Sequence, residues 1–177
     1  MEDGNFKLLY TKEQINDAVK RLAQVITIDY KDENVVLIAP LKGSFIFIAD
    51  LIRELKVPSA LGYYIVKTHI IRGNKQIVVN NVCDIAIKDR KVLIVEDIID
   101  SGRTIKALVQ HINRRAPKEI KICTLFDKYS CRGFDVKPDY VGFLVPDNPF
   151  LVGYGLDYEE QYRNFPEVFE LKTKRNV

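Results

Sequence analysis

Thirteen consecutive residues, Val92-Leu93-Ile94-Val95-Glu96-Asp97-Ile98-Ile99-Asp100-Ser101-Gly102-Arg103-Thr104, constrain the fold more than any other stretch of the chain. The uninterrupted apolar run at their start is what a central parallel strand, covered on both faces, requires. It ends in two adjacent carboxylates, a third follows three residues later, and a small polar turn with glycine then opens a helix expected from about Thr104 to Arg115. Backbone N–H groups at such a helix start, with the Ser101 and Thr104 hydroxyls, suit a phosphate monoester. Carboxylates so close would repel a bare phosphate. The combination makes sense when the ligand also offers hydroxyls for Glu96 and Asp97 to accept from and a divalent cation screens the remaining charge; a ribose phosphate meets both demands. Taken singly, each residue has a plainer reading, with Glu96 and Asp97 solvating a strand end and Ser101 and Gly102 capping a helix. The whole string does not, because a central strand rarely ends in such a charge cluster unless something binds it.

The rest of the 177-residue chain supplies the alternation that such a strand needs. Val35-Val36-Leu37-Ile38-Ala39 is an apolar run of strand length, and a helix from about Ser44 to Leu55 is closed by Val57-Pro58, since the residue before proline resists the α region. Further strands are expected at Leu61 to Val66, Ile120 to Phe126 and Tyr140 to Val145. The first helix begins near Thr11, which with Gln14 makes a capping-box pattern, and Ile15, Val19, Leu22, Ala23 and Ile26 follow helical spacing. Between Lys67 and Lys91 the pattern loosens. Ile77-Val78-Val79 and Val82-Cys83-Asp84-Ile85 are β-like and Arg72-Gly73-Asn74-Lys75 is a turn signal, which reads as a hairpin or mobile flap. Strands alternating with helices give an α/β fold with a mostly parallel central sheet flanked by helices, whose ligands belong beyond the carboxyl ends of the strands.

Composition narrows the field. At roughly 150 residues per domain the length predicts one domain, and no repeat or low-complexity tract divides it. With 27 Lys and Arg against 24 Asp and Glu, the net charge of +3 neither demands nor excludes a nucleic-acid partner. The three cysteines, Cys83, Cys123 and Cys131, are odd in number without C-x-x-C spacing, and two His cannot complete a zinc site, so a reduced cytosol is the expected compartment. Met1 to Gln14 carries acids where a signal peptide needs a basic start, and no window of about 18 residues is apolar enough to span a membrane. No Walker A string occurs, and Gly153-Tyr154-Gly155-Leu156-Asp157-Tyr158 starts like the dinucleotide fingerprint without its third glycine. Phospho-accepting receiver domains also end a strand in an acidic pair, but on their first strand.

The string from Val95 to Thr104 closely resembles the 5-phosphoribosyl-1-pyrophosphate signature of type I phosphoribosyltransferases, and its Ile98-Ile99-Asp100 and Ser101-Gly102 resemble the hypoxanthine-guanine branch. Three further segments agree in order. Leu41-Lys42-Gly43-Ser44 resembles the family's pyrophosphate loop, and Leu125-Phe126-Asp127-Lys128 the strand end with its purine-reading lysine. Pro138 to Phe143, Gly153 to Tyr158 and Tyr162-Arg163 resemble its C-terminal hood, so the likeness runs from about Val35 to Arg163.

The resemblance implies a type I phosphoribosyltransferase fold with a flexible flap and a small hood. The division would be a single domain over 1–177, with core about 35–147, flap about 67–91, and hood from the N-terminal segment and about 148–177. It implies purine salvage, in which Mg²⁺-dependent transfer of a 5-phosphoribosyl group to N9 of hypoxanthine or guanine gives IMP or GMP and pyrophosphate. In that reading Leu41, Lys42 and Gly43 meet pyrophosphate, with a cis peptide before Lys42, and Ser101, Gly102, Arg103 and Thr104 hold the 5′-phosphate. Glu96 and Asp97 serve the ribose and a metal, and Asp157 joins a second Mg²⁺ site. Asp100 handles a proton at purine N7, Lys128 donates to the 6-oxo group, Phe150 stacks on the base, the Leu151 backbone reaches its edge and Arg163 meets pyrophosphate. Alone, each has a bland alternative: a strand-to-helix turn with Ser44 as N-cap, Asp100 as a helix cap, Lys128 solvated, Phe150 a core aromatic, Arg163 a surface cation. The chain departs from the branch by Thr68-His69 where relatives carry a Ser-Tyr flap pair, and by one extra residue in Pro146 to Phe150. The partners implied are 5-phosphoribosyl-1-pyrophosphate and a 6-oxopurine, with no membrane and a homo-oligomer, dimer or tetramer, in the cytoplasm. The rival readings are an RNA-binding regulator on the same fold, for which the basic clusters Arg114-Arg115 and Lys172 to Arg175 are short, and transfer to another base such as xanthine or adenine.

Overall fold

In the computed structural model, which describes residues 5–71, 74–82 and 85–172, the apolar runs become strands of one sheet. In chain order the elements are β1 (Phe6–Tyr10), α1 (Lys12–Asp29), β2 (Val35–Leu41), α2 (Phe45–Glu54), β3 (Ser59–Ile71), β4 (Asn74–Asn81), β5 (Lys91–Ile99), α3 (Arg103–Asn113), β6 (Glu119–Asp127), β7 (Tyr140–Leu144), β8 (Leu151–Val152) and β9 (Val168–Leu171). The larger sheet has the order β4-β3-β2-β5-β6-β7, with only β4 antiparallel to its neighbour.

Alternation along the central strands explains the layers. On β2 and β5, Leu37, Ala39, Leu93 and Val95 join α1 and α2 in one buried cluster. Val36, Ile38, Val92 and Ile94 face the other way, against Ile105, Leu108 and Ile112 of α3. Burying each such side chain stabilises by roughly 1.5–3 kcal/mol, which is why both strands read as continuous apolar runs rather than alternating ones. Thr11 caps α1 as expected: its hydroxyl accepts from the Gln14 N–H at 3.3 Å while the Gln14 side chain accepts from the Thr11 N–H at 2.8 Å.

Parallel register places the ends of β2, β5 and β6 side by side. Ile38 lies opposite Ile94, and Glu96 opposite Thr124. Over these ends sits a second, antiparallel sheet of order β1-β9-β8. Tyr10 anchors it, its ring 5.1 Å from Phe126 and 4.4 Å from Phe143, near the ends of β6 and β7.

Two local readings change. The β3 strand runs past Val66 to Ile71 and pairs with β4 as a hairpin in which Thr68 stands opposite Ile77 and His69 opposite Gln76. Arg72 and Gly73 of its expected turn, and Cys83 and Asp84, lie outside the described residues. Val82 and Ile85, the described residues of the β-like segment expected after Asn81, do not lie in a strand. Ile87 is buried there and Ile85 packs beside it on the α3-side cluster, so the chain turns inward to cover that core. Among the described residues, no helix is long and apolar enough to cross a membrane.

Candidate active site

Glu96 and Asp97 end the continuous buried run of β5, each only 6% exposed. Desolvation disfavours their charged forms. It pushes the Glu96 carboxyl well above its ordinary range, helped by the neighbouring Asp97 charge, and raises Asp97 less, because Asp97 accepts from Glu96 and from backbone N–H groups and feels Arg163. Among the described residues, no three His, Cys, Asp or Glu side chains stand close enough to form a metal cage by themselves. Asp97 packs directly on the Gly43 backbone, so a Cβ at position 43 would overlap its carboxylate.

Gly43 belongs to the turn between β2 and α2, where the Leu41–Lys42 peptide is cis. Ser44 occupies the N-cap position of α2 without capping it through its side chain. Its side chain makes no cap hydrogen bond, and its buried hydroxyl donates back to the Pro40 carbonyl at 2.5 Å, tying the turn to the strand it leaves.

The turn after β5 has Gly102 at φ +81°, a conformation that residues with a side chain rarely adopt and that favours glycine there. Gly102 is the N-cap of α3, so Asp100 is not. With α3 starting at Arg103, the first N–H groups of the helix have no intrahelical acceptor and face a hollow of about 250 Å³ bounded by residues 96–105. The Ser101 hydroxyl accepts from the Arg103 N–H at 3.4 Å. From behind, the Gly133 and Phe134 N–H groups both donate to the Ser101 carbonyl at 3.1 Å.

Lys128 follows β6 and is 5% exposed, its Nζ 3.8 Å from the Asp100 carboxylate. A lysine this buried is rarely a solvated surface residue. Beside it, Asp127 pairs with Arg132, whose guanidinium also donates to the Asp100 carbonyl at 3.3 Å.

A cleft of about 370 Å³ joins these parts to the smaller sheet. Leu41, Lys42, Gly43, Glu96, Asp97, Asp100, Thr104 and Lys128 line one side, and Phe150, Leu151, Asp157 and Arg163 the other. Ser101, Gly102 and Arg103 line the adjoining hollow. Every site residue named from the sequence therefore falls in one connected space.

The sequence pattern of the phosphoribosyl transferase domain matches residues 7–159. The hypoxanthine-guanine phosphoribosyltransferase of Bacillus subtilis (strain 168) is 42% identical over 170 residues, 94% of this chain and 93% of the relative. This chain belongs to the hypoxanthine-guanine phosphoribosyltransferase family. A crystal structure of a hypoxanthine-guanine phosphoribosyltransferase from Bacillus anthracis aligns with a TM-score of 0.85 at 41% identity, covering 94% of this chain and 98% of that one. A hypoxanthine phosphoribosyltransferase from Staphylococcus aureus aligns at 0.89 with 33% identity over 100% and 99% of the two chains.

The far wall of this phosphoribosyltransferase is held by contacts that the sequence did not announce. Gly153, Tyr154 and Gly155 all have positive φ, at 102°, 49° and 96°. The buried Tyr154 hydroxyl donates to Asp50 of α2 at 2.6 Å, and Gly155 packs against the Gly43 carbonyl so closely that no side chain fits between. Arg163 donates to the Gly155 carbonyl at 2.8 Å and pairs with Asp157 at 2.8 Å and Glu160 at 3.1 Å. Phe150 is 39% exposed, edge-on to Tyr158 with ring centroids 5.6 Å apart. Asp50, Arg132 and Glu160 were missed because each is an ordinary charged surface residue until the fold brings a distant partner to it.

Proposed function

We propose that this phosphoribosyltransferase moves the 5-phosphoribosyl group of 5-phosphoribosyl-1-pyrophosphate to N9 of hypoxanthine or guanine, giving IMP or GMP and pyrophosphate in purine salvage. The observation that carries this reading is one cleft reaching from a glycine turn at a helix start, past a buried acidic pair, to a buried lysine and a half-exposed aromatic ring. A nucleoside monophosphate has its phosphate, ribose and base in that order.

In this reading the 5′-phosphate sits on the N–H groups of residues 101–104, and the Leu41 to Gly43 backbone, Lys42 and Arg163 hold the pyrophosphate. As the bond from C1′ to the pyrophosphate oxygen breaks, its electron pair leaves with pyrophosphate and positive charge builds on the ribose; N9 of the base then bonds to C1′. Glu96 and Asp97 accept from the ribose hydroxyls and stabilise that charge. Asp100 takes the proton released at N7, and Lys128 donates to the 6-oxo oxygen. Phe150 stacks on the ring and the Leu151 backbone meets its edge. Buried carboxylates without a cage of their own fit a hard divalent ion that completes its shell with substrate oxygens and water. Glu96 and Asp97 would hold one Mg²⁺ and Asp157 would join a second, and the ions would supply charge neutralisation to the leaving pyrophosphate. The β3–β4 hairpin would be the flap and the smaller sheet the hood, in a cytoplasmic homo-oligomer, as family membership suggests.

The test is a base panel of hypoxanthine, guanine, xanthine and adenine with 5-phosphoribosyl-1-pyrophosphate and Mg²⁺, following loss of free base and release of pyrophosphate. Hypoxanthine and guanine are consumed one for one with pyrophosphate formed, and adenine is not. No turnover of either 6-oxopurine would overturn the reading.

A further inference from the structure

Glu160 stands at the cleft mouth, where one carboxylate oxygen meets both cations assigned to pyrophosphate. Its Oε2 lies 2.9 Å from Lys42 Nζ and 3.1 Å from Arg163 Nη2. Lys42 comes from the β2–α2 turn and Arg163 from the far wall, and Glu160 is the anion shared between them. A single oxygen bridging a lysine and an arginine is also what a phosphate oxygen would do there.

The backbone aims that carboxylate. Glu159 and Glu160 have φ of +51° and +64°, inside a tight turn closed by the Tyr158 and Gln161 pairing. Glycine or asparagine is usual at such positions, and two glutamates are not. The Glu160 N–H donates to Asp157 at 2.9 Å, fixing the turn to the residue that also faces Arg163. Lys42 and Arg163 hold the Glu160 carboxyl below its ordinary range, so it is ionised at neutral pH. The contact is nonetheless loose. The Glu160 and Lys42 side chains are 65% and 68% exposed, and exposed ion pairs contribute little stability.

We propose that Glu160 competes with pyrophosphate for Lys42 and Arg163, and so sets how readily the leaving group is released. This rests on the assignment of those two cations to pyrophosphate. A multiply charged pyrophosphate displaces the glutamate on binding, and the glutamate returns as pyrophosphate departs. Glu160 lowers the affinity of the site for pyrophosphate and so speeds its release, without changing the equilibrium between nucleotide synthesis and breakdown.

The competition has an unusual sign: deleting a charged group from the site tightens binding. The experiment titrates magnesium pyrophosphate into the intact protein by calorimetry and measures its inhibition constant in the forward reaction, for wild type, Glu160→Gln, Glu159→Gln and Lys42→Met. Glu160→Gln binds pyrophosphate roughly three- to tenfold more tightly, the scale of two exposed ion pairs, with KM for the base unchanged. Glu159→Gln removes the same charge from the neighbouring position and changes affinity less than about twofold, since it touches neither cation. An unchanged or weakened affinity in Glu160→Gln overturns the proposal, as does an equal gain in Glu159→Gln, which would make the effect general electrostatics. Lys42→Met weakens pyrophosphate binding. If it did not, the cation assignment itself would fall, a result distinct from failure of the competition alone.

Discussion

Glu96 and Asp97, on the sheet side of the cleft, are buried, hydrogen-bonded to each other and pushed toward their protonated forms. On the opposite side Asp157 and Glu160 are partly or largely exposed, and both pair with Arg163. The sheet wall takes its positions from the register of β2, β5 and β6, so it is formed before any ligand arrives. The far wall is fastened by backbone turns of positive φ and by ion pairs that a charged ligand can exchange. Chemistry that needs fixed geometry fits the first wall, and release of an anionic product fits the second.

The largest expected effect tests the junction of the two. Asp100 ends the sheet wall with its side chain 57% exposed, close to Lys128, where proton transfer can occur. Asp100→Asn keeps the size but cannot take a proton, and kcat falls by roughly 10²- to 10⁴-fold while the Kd of 5-phosphoribosyl-1-pyrophosphate stays nearly constant. Near-wild-type kcat in single-turnover measurements would remove the proton-transfer role. Lys128→Ala comes next. Loss of a charged hydrogen bond in a desolvated site weakens purine binding by roughly 1.5–3 kcal/mol, read as KM for hypoxanthine, with donor affinity little changed. An equal loss of donor affinity would assign Lys128 to the phosphate side.

The smallest effect probes the burial of the sheet wall through stability. Because the Glu96 carboxyl titrates higher in the folded chain than its usual 4.5, the unfolded chain gives up its proton first as pH rises. Between those two titrations folded Glu96 binds more protons than unfolded Glu96, so stability falls with rising pH. Glu96→Gln escapes that loss. Its Tm exceeds wild type at pH 8 without ligand, and the gap narrows as pH approaches 4.5, by calorimetry. A gap independent of pH would mean that this wall is as wet as the other.

The same contrast explains what could be read from the chain alone. Whereas Lys128 gains its meaning only from its place at the end of β6, the β5 string and the Thr11 capping box carry their meaning locally, in residue type and spacing. The strands β1 and β9 do not, because Phe6 pairs with Leu171 from the other end of the chain and neither strand alternates cleanly between buried and exposed. The plainer alternative for Ser44, a side-chain cap on α2, rests on serine being common before a helix; its bond to Pro40 instead follows from the sharp turn it occupies. Glu160 and Lys42 lie 118 positions apart, and no local pattern links them.

The most direct measurement is a crystal structure with IMP bound. The expected result is the 5′-phosphate on the N–H groups of residues 101–104, the 6-oxo oxygen within hydrogen-bond distance of Lys128 Nζ, and the base against Phe150. A phosphate seated elsewhere, or a base turned away from Lys128, would contradict it.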